Sequence, residues 1–113
     1  MQFLSEKMCR HLSSIAPEFE GHWWWCSNTY FHHDTGENEL IGTPFLVCKN
    51  QEFDKYMGVR ICPAWQVEDV LQNAQKLNLP IGVGSIIIKM LYDFGTKETA
   101  YQKIEEYLWT VLK

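Results

Sequence analysis

The residues best suited to chemistry crowd into one segment, where His22, Cys26, His32, His33 and Asp34 follow in close order. Imidazole, thiolate and carboxylate are together the donors of a zinc or iron site. The spacing argues against one. On an extended strand His32 and His33 point to opposite faces. His22, Cys26 and His32 share a face, but steps of four and six residues place them roughly 13 and 20 Å apart, too far for one ion. Neither C-x-x-C nor H-E-x-x-H occurs. No metal and no cofactor is expected.

The four cysteines, Cys9, Cys26, Cys48 and Cys62, could in principle pair with a histidine as nucleophile and base. Nothing in the spacing sets one at a helix N-terminus, where the thiolate would be favoured. Cys48 and Cys62 end apolar strands, as core thiols do. Reduced, mostly buried thiols are expected, and no catalytic residue is assigned. Gly82-Val83-Gly84-Ser85 has the look of a phosphate-binding turn, but Lys-Ser/Thr does not follow and position 87 is Ile, so neither nucleotide motif is complete. Glu18 and Glu20, Glu37 and Glu39, and Glu105 and Glu106 form no acid–base pair. An enzyme is therefore the less favoured reading.

The most unusual feature is Trp23-Trp24-Trp25, with Trp65 and Trp109 elsewhere. Three consecutive tryptophans on a strand cannot share one core, so at least one faces the opposite side. Tryptophan is enriched at interface hot spots. Trp23, Trp24, Trp25, Tyr30 and Trp65 are the expected partner-binding residues.

The elements that must position these residues follow from periodicity. Leu4, Met8, Leu12 and Ile15 form one apolar stripe, which predicts a helix over 2–15 ended by Pro17. Aromatic density predicts a strand over 22–33, with His22, Trp24, Cys26, Asn28 and Tyr30 on one face and Trp23, Trp25, Ser27, Thr29 and Phe31 on the other. Residues 34–38 read as a hairpin loop. A second strand spans 39–49 with Ile41, Phe45 and Val47 on a common face, and Pro44 marks it as an edge strand or a bulged one. After a connection at 49–52, a third strand spans 55–62 with Met57, Val59 and Ile61 inward and Lys55 and Arg60 outward. Helices are predicted over 66–78, over 85–94 capped by Ser85 and closed by Gly95, and over 97–112 capped by Thr96. The triple isoleucine at 86–88 keeps a strand open as the alternative for 85–94.

The fold expected is α+β. A small three-stranded antiparallel meander is preceded by one helix and followed by two or three. With 113 residues, 46% hydrophobic and 21% charged, the chain makes one compact domain over 1–113. An α-β-β-β-α order is shared by several unrelated families, double-stranded RNA-binding domains among them. Their basic residues at the start of the second helix are replaced here by Glu68 and Asp69. The net charge of −4, with eight lysines and only Arg10 and Arg60 among 10 bases, likewise argues against direct nucleic-acid binding. No basic start leads into an apolar run, and the apolar stretch 81–91 falls short of the ~20 residues a membrane span requires. A cytoplasmic protein without membrane contact is expected.

The function that fits is non-enzymatic binding of one protein partner through an aromatic sheet surface. Such small acidic domains act as inhibitors, antitoxin- or immunity-like proteins, phage-type antagonists or adaptors, an argument by association. Two alternatives stand beside it. One is a small-ligand-binding protein or small enzyme with a site lined by His22, Trp24, Cys26 and Tyr30. The other is a structural homodimer subunit joined through its open sheet face.

Overall fold

A computed structural model describes residues 2–48 and 59–112. Helix α1 (Glu6–Ile15) is followed by strands β1 (Trp23–His32), β2 (Glu37–Cys48) and β3 (Val59–Pro63), then helices α2 (Val67–Gln72), α3 (Val83–Asp93) and α4 (Lys97–Val111). The α+β class, the antiparallel three-stranded sheet and the flanking helices are those expected. The predicted 49–52 connection, and Lys55 and Met57 of the third strand, lie outside the described residues.

The strand order is β2-β1-β3, which corrects the expected meander. Proline explains it. A central strand must donate to ladders on both sides, and Pro44 has no N–H to give. β2 therefore takes an edge, and β3 joins β1 on its free side. Both pairings are antiparallel, with Trp24 opposite Val47 and Pro63, and Trp25 opposite Leu46 and Cys62. β2 bulges near its proline. Ser27 alone stands between the Cys26–Phe45 and Asn28–Ile41 pairs, where β2 inserts Gly42, Thr43 and Pro44. Gly42 accommodates the distortion at φ +75°, a region that disfavours any Cβ. The Ser27 hydroxyl satisfies the Ile41 carbonyl at 3.2 Å.

The helices differ from expectation at their ends. α1 begins at Glu6 rather than residue 2, because extended Ser5 caps it, its hydroxyl accepting from the Met8 N–H. Leu4, ahead of the helix, still reaches the core. α2 stops at Gln72 instead of 78. There the Asn73 side-chain amide donates to the Asp69 carbonyl at 2.8 Å, and turns carry the chain on to Leu77. α3 settles the ambiguity at 85–94 in favour of helix. Its N-cap is Gly82, not Ser85, and Gly82 at φ +93° turns the chain into the helix after Pro80. It ends on extended Phe94, without the left-handed glycine cap expected at Gly95. Thr96 caps α4 as expected, accepting from Thr99 N–H at 3.1 Å.

All four helices contribute to one core against the helix-facing side of the sheet. Met8, Cys9 and Leu12 of α1 meet Ile104 and Leu108 of α4, Val83 and Ile87 of α3, and Val67 and Val70 of α2. Trp25, Ile61 and Cys62 are the sheet's contribution. Trp65 lies in the middle, fully buried. Its indole N–H donates to Ser13 Oγ at 3.0 Å, and its ring centroid is 3.9 Å from that of Phe19. Its backbone N–H donates to Cys9 Sγ at 3.2 Å, and its carbonyl accepts from Leu4 N–H at 2.9 Å. Tyr101 locks α4 to the start of α2, its hydroxyl accepting from Val67 N–H and donating to Glu68, each at 3.1 Å.

The molecule is elongated. Its extents are 51 × 27 × 23 Å and its radius of gyration is 15.9 Å, against about 13 Å for a compact chain of this length. Among the described residues no helix is long and apolar enough to cross a membrane.

Truncating the central indole tests this packing. Trp65→Ala is expected to cost about 3–5 kcal/mol, as for other buried aromatic deletions. Denaturant unfolding followed by far-UV circular dichroism reads it. Trp109→Ala, at a partly exposed position on α4, should cost much less.

Candidate protein-contact surface

The three adjacent tryptophans go to three environments. Trp25 turns toward the helices and packs on the core. Trp24 turns to the other face of the sheet, where it covers buried Cys26 and Val47 beside Phe45. The Arg60 guanidinium lies 5.3 Å from the Trp24 ring centroid, a cation–π distance. The Trp24 indole N–H has no hydrogen-bond partner among the described residues. Trp23 sits 6.0 Å from the Phe3 ring and lines a groove of about 300 Å³ with Phe19, His22 and Asp69. Trp65 is withdrawn from the expected contact surface, because a fully buried ring that fastens α1 to the sheet is not available to a partner.

Tyr30 lies where the sheet changes character. Among the described residues β3 pairs with β1 between Trp24 and Ser27. From Asn28 onward the described ladder is β1 with β2 alone, closed by a turn in which Gly36 N–H donates to the His32 carbonyl at 2.8 Å. Cross-strand pairing sorts the side chains of this arm. Tyr30, His32, Glu37, Glu39 and Ile41 share one face; Thr29, Phe31, Asn38 and Leu40 share the other. Ring contacts agree, with Tyr30 5.0 Å from His32 and Phe31 5.1 Å from His33. Large apolar side chains are exposed on both faces: Tyr30 at 54%, Phe31 at 46%, Leu40 at 47% and Ile41 at 42%.

Sequence reasoning found Tyr30 and missed Phe31, Leu40 and Ile41. Ile41 does fall on the same face as Phe45 and Val47, as its spacing predicts, but among the described residues no core cluster extends to it. The signal available was the β2 pattern itself. Glu37-Asn38-Glu39 leads into Leu40-Ile41 without alternating polarity, unlike a strand buried on one side.

The arm is acidic. Residues 28–41 carry Asp34, Glu37 and Glu39 and no lysine or arginine. His32 Nε2 and Glu39 Oε2 are 2.7 Å apart on its surface. An aromatic surface with an acidic edge suits a partner patch that is apolar at its centre and basic at its rim.

The alternative ligand site is not assembled. Trp24 and Cys26 meet, but Tyr30 stands four residues along the strand from Cys26, about 13 Å away. His22 lines the Trp23 groove instead. A second groove of about 300 Å³ passes Phe3, Trp25, Tyr101 and Glu105. Its Glu105 carboxylate is already engaged, accepting from Ser5 N–H at 2.8 Å and from Ser5 Oγ at 2.9 Å. Among the described residues no group of three histidines, cysteines or acids is placed to hold a metal ion.

The cysteines are free thiols, with Cys9, Cys26 and Cys62 buried and Cys48 half-buried. Burial pushes Cys9 and Cys62 up to about 12 and Cys26 up to about 11. These three stay protonated at neutral pH and are poor nucleophiles. The chain matches no protein-family model, no curated protein and no solved structure.

Two measurements follow from the buried thiols. In the native protein a thiol reagent at neutral pH should label Cys48 alone at speed, with the other three reacting only on unfolding. Stability should also fall in alkali. The buried thiols, and Tyr101, which burial raises to about 12, ionise later in the folded chain than in the unfolded one. The unfolded state then binds fewer protons above about pH 9, so stability present below that pH is lost as pH rises toward 11–12. Urea midpoints at pH 8 and pH 10.5 check the sign.

Proposed function

We propose that this chain is a non-enzymatic protein-binding module. It engages one protein partner through the aromatic surface of its sheet, as an inhibitor, antitoxin- or immunity-like protein, phage-type antagonist or adaptor. The observation that carries this reading is the β1–β2 arm, which holds Tyr30, Phe31, Leu40 and Ile41 in water on two faces. Among the described residues this part of the ladder is β1 with β2 and no core cluster packs on it, and a two-stranded ribbon is marginal in stability. Keeping four large apolar side chains on such a ribbon costs hydration without stabilising the fold. A partner that covers them recovers that free energy, and aromatic side chains supply contact area at low entropic cost. Trp24, Phe45 and Arg60 extend the same aromatic strip toward the body of the domain.

The test is affinity capture from host lysate with tagged wild-type protein and three variants: Tyr30→Ala/Ile41→Ala on one arm face, Phe31→Ala/Leu40→Ala on the other, and Trp24→Ala. At least one arm variant should lose a stoichiometric partner, with affinity falling tenfold or more, about 1.4 kcal/mol or greater. Far-UV circular dichroism should be unchanged in both arm variants, since the sites are exposed. The complex should also weaken with added salt, because the arm's charge is all acidic. Equal capture by all variants, or no partner at all, would contradict the reading.

A further inference from the structure

The groove beside Trp23 joins aromatic walls to acidic charge. Rings from three separate segments line it: Phe3 ahead of α1, Phe19 in the loop after α1, and Trp23 at the start of β1. Phe19 packs on the core. Phe3 and Trp23, both half-buried, belong to no core cluster among the described residues. Their centroids are 6.0 Å apart and their planes incline at 51°, so the two rings form a corner and do not stack. Gly21 keeps the space open. A Cβ there would stand 3.1 Å from the Ala64 carbonyl oxygen and 3.5 Å from the Phe19 ring, both of which line the groove.

The charge is acidic. Glu20 and Asp69 line the groove, and among the described residues no lysine or arginine does. Asp69 is half-buried, and its Oδ2 accepts from the Gln66 N–H at 2.8 Å. Burial still raises its carboxyl above the usual range. The Gln66 N–H and the nearby His22 imidazole offset this only in part, and the adjacent Glu68 adds to it. A carboxylate so placed is incompletely compensated, and a cation beside it would supply the remainder.

We infer that this groove binds a small alkylated ammonium ion, free in solution, with its methyl groups against Phe3, Phe19 and Trp23 and its charge beside Asp69. The carboxylates select a cation. The aromatic faces attract that charge and also accept its apolar substituents, which a hydrated metal ion does not offer. The volume, about 300 Å³, is at the lower limit of ligand sites and suits an ion of choline size.

This site is separate from the arm, and its test needs no protein partner. Choline is titrated into the full chain, followed by calorimetry and by the Trp23 indole N–H signal in NMR. Saturable binding is expected, with a Kd of about 0.1–10 mM. Dimethylbutanol, the uncharged carbon isostere of choline, should bind at least tenfold more weakly to the same wild-type protein. Trp23→Leu, which keeps an apolar wall without the aromatic face, should weaken choline tenfold or more, and Phe3→Leu severalfold. Asp69→Asn keeps an acceptor for the Gln66 N–H and should also weaken it severalfold, with the circular dichroism of each variant unchanged. No saturable response in the wild-type protein would overturn the inference. So would equal binding of the uncharged isostere, or choline binding that survives both Trp23→Leu and Asp69→Asn. Binding to phosphatidylcholine vesicles without a response to free choline would overturn it as well, since the ligand would then be a lipid surface.

Discussion

The burial of Trp65 is the constraint on which the rest of this structure depends. One residue makes four contacts: its indole N–H holds Ser13 and its amide the Cys9 sulfur, both on α1, its ring meets Phe19, and its carbonyl holds Leu4. The residue before it, Ala64, donates its N–H to the Trp23 carbonyl and so prolongs the β1–β3 ladder. The N-terminal helix, the loop after it, the sheet and the start of α2 are thereby fixed at one point. An indole buried with its N–H satisfied contributes area without the penalty of an orphaned donor.

That anchoring is one-sided, and the function proposed follows from the asymmetry. The helices reach the sheet near Trp25, Ile61 and Cys62, at the end of β1 closest to Trp65. β1 and β2 run on past Ser27, and nothing among the described helices packs beneath them. The strands carry enough aromatic and aliphatic residues for a buried sheet in a region where no described residue forms a core beneath them. Polar strand ends would have sufficed for a hairpin that served only to connect. Apolar residues on both faces instead suit an element whose second half is completed by another molecule.

Much of this was legible in the sequence because the signals were local. The stripe Met8, Leu12, the Thr96 cap and the spacing of Ala100, Ile104 and Leu108 each depend on a few neighbouring residues, and α4 came out close to its observed bounds, as did the end of α1. Pro44 announced an edge or bulged strand, and β2 is both. The same proline also held the information that β2 could not be central, yet the strand order required knowing that β1 would accept a second partner, which is a long-range fact. The end of α2 falls at Asn73, whose backbone N–H and side-chain amide both donate to the Asp69 carbonyl, a local detail that periodicity does not carry. The site was legible in type and not in place. The aromatic run drew attention to β1, but adjacent tryptophans divide between two faces, and Trp65 belongs to the core. Exposure of Phe31, Leu40 and Ile41 depends on which elements reach that end of β1, which no local pattern specifies.

The central claim is that the β1–β2 arm is a surface held ready for a partner and not a part of the core. Hydrogen–deuterium exchange read by mass spectrometry, on the free protein and on its complex, addresses it directly. The account predicts that amides of 28–32 and 37–41 exchange much faster than those of 23–27 in the free chain, and become protected when the partner is bound. An arm as slow to exchange as the body when free, or unchanged in the complex, would contradict it.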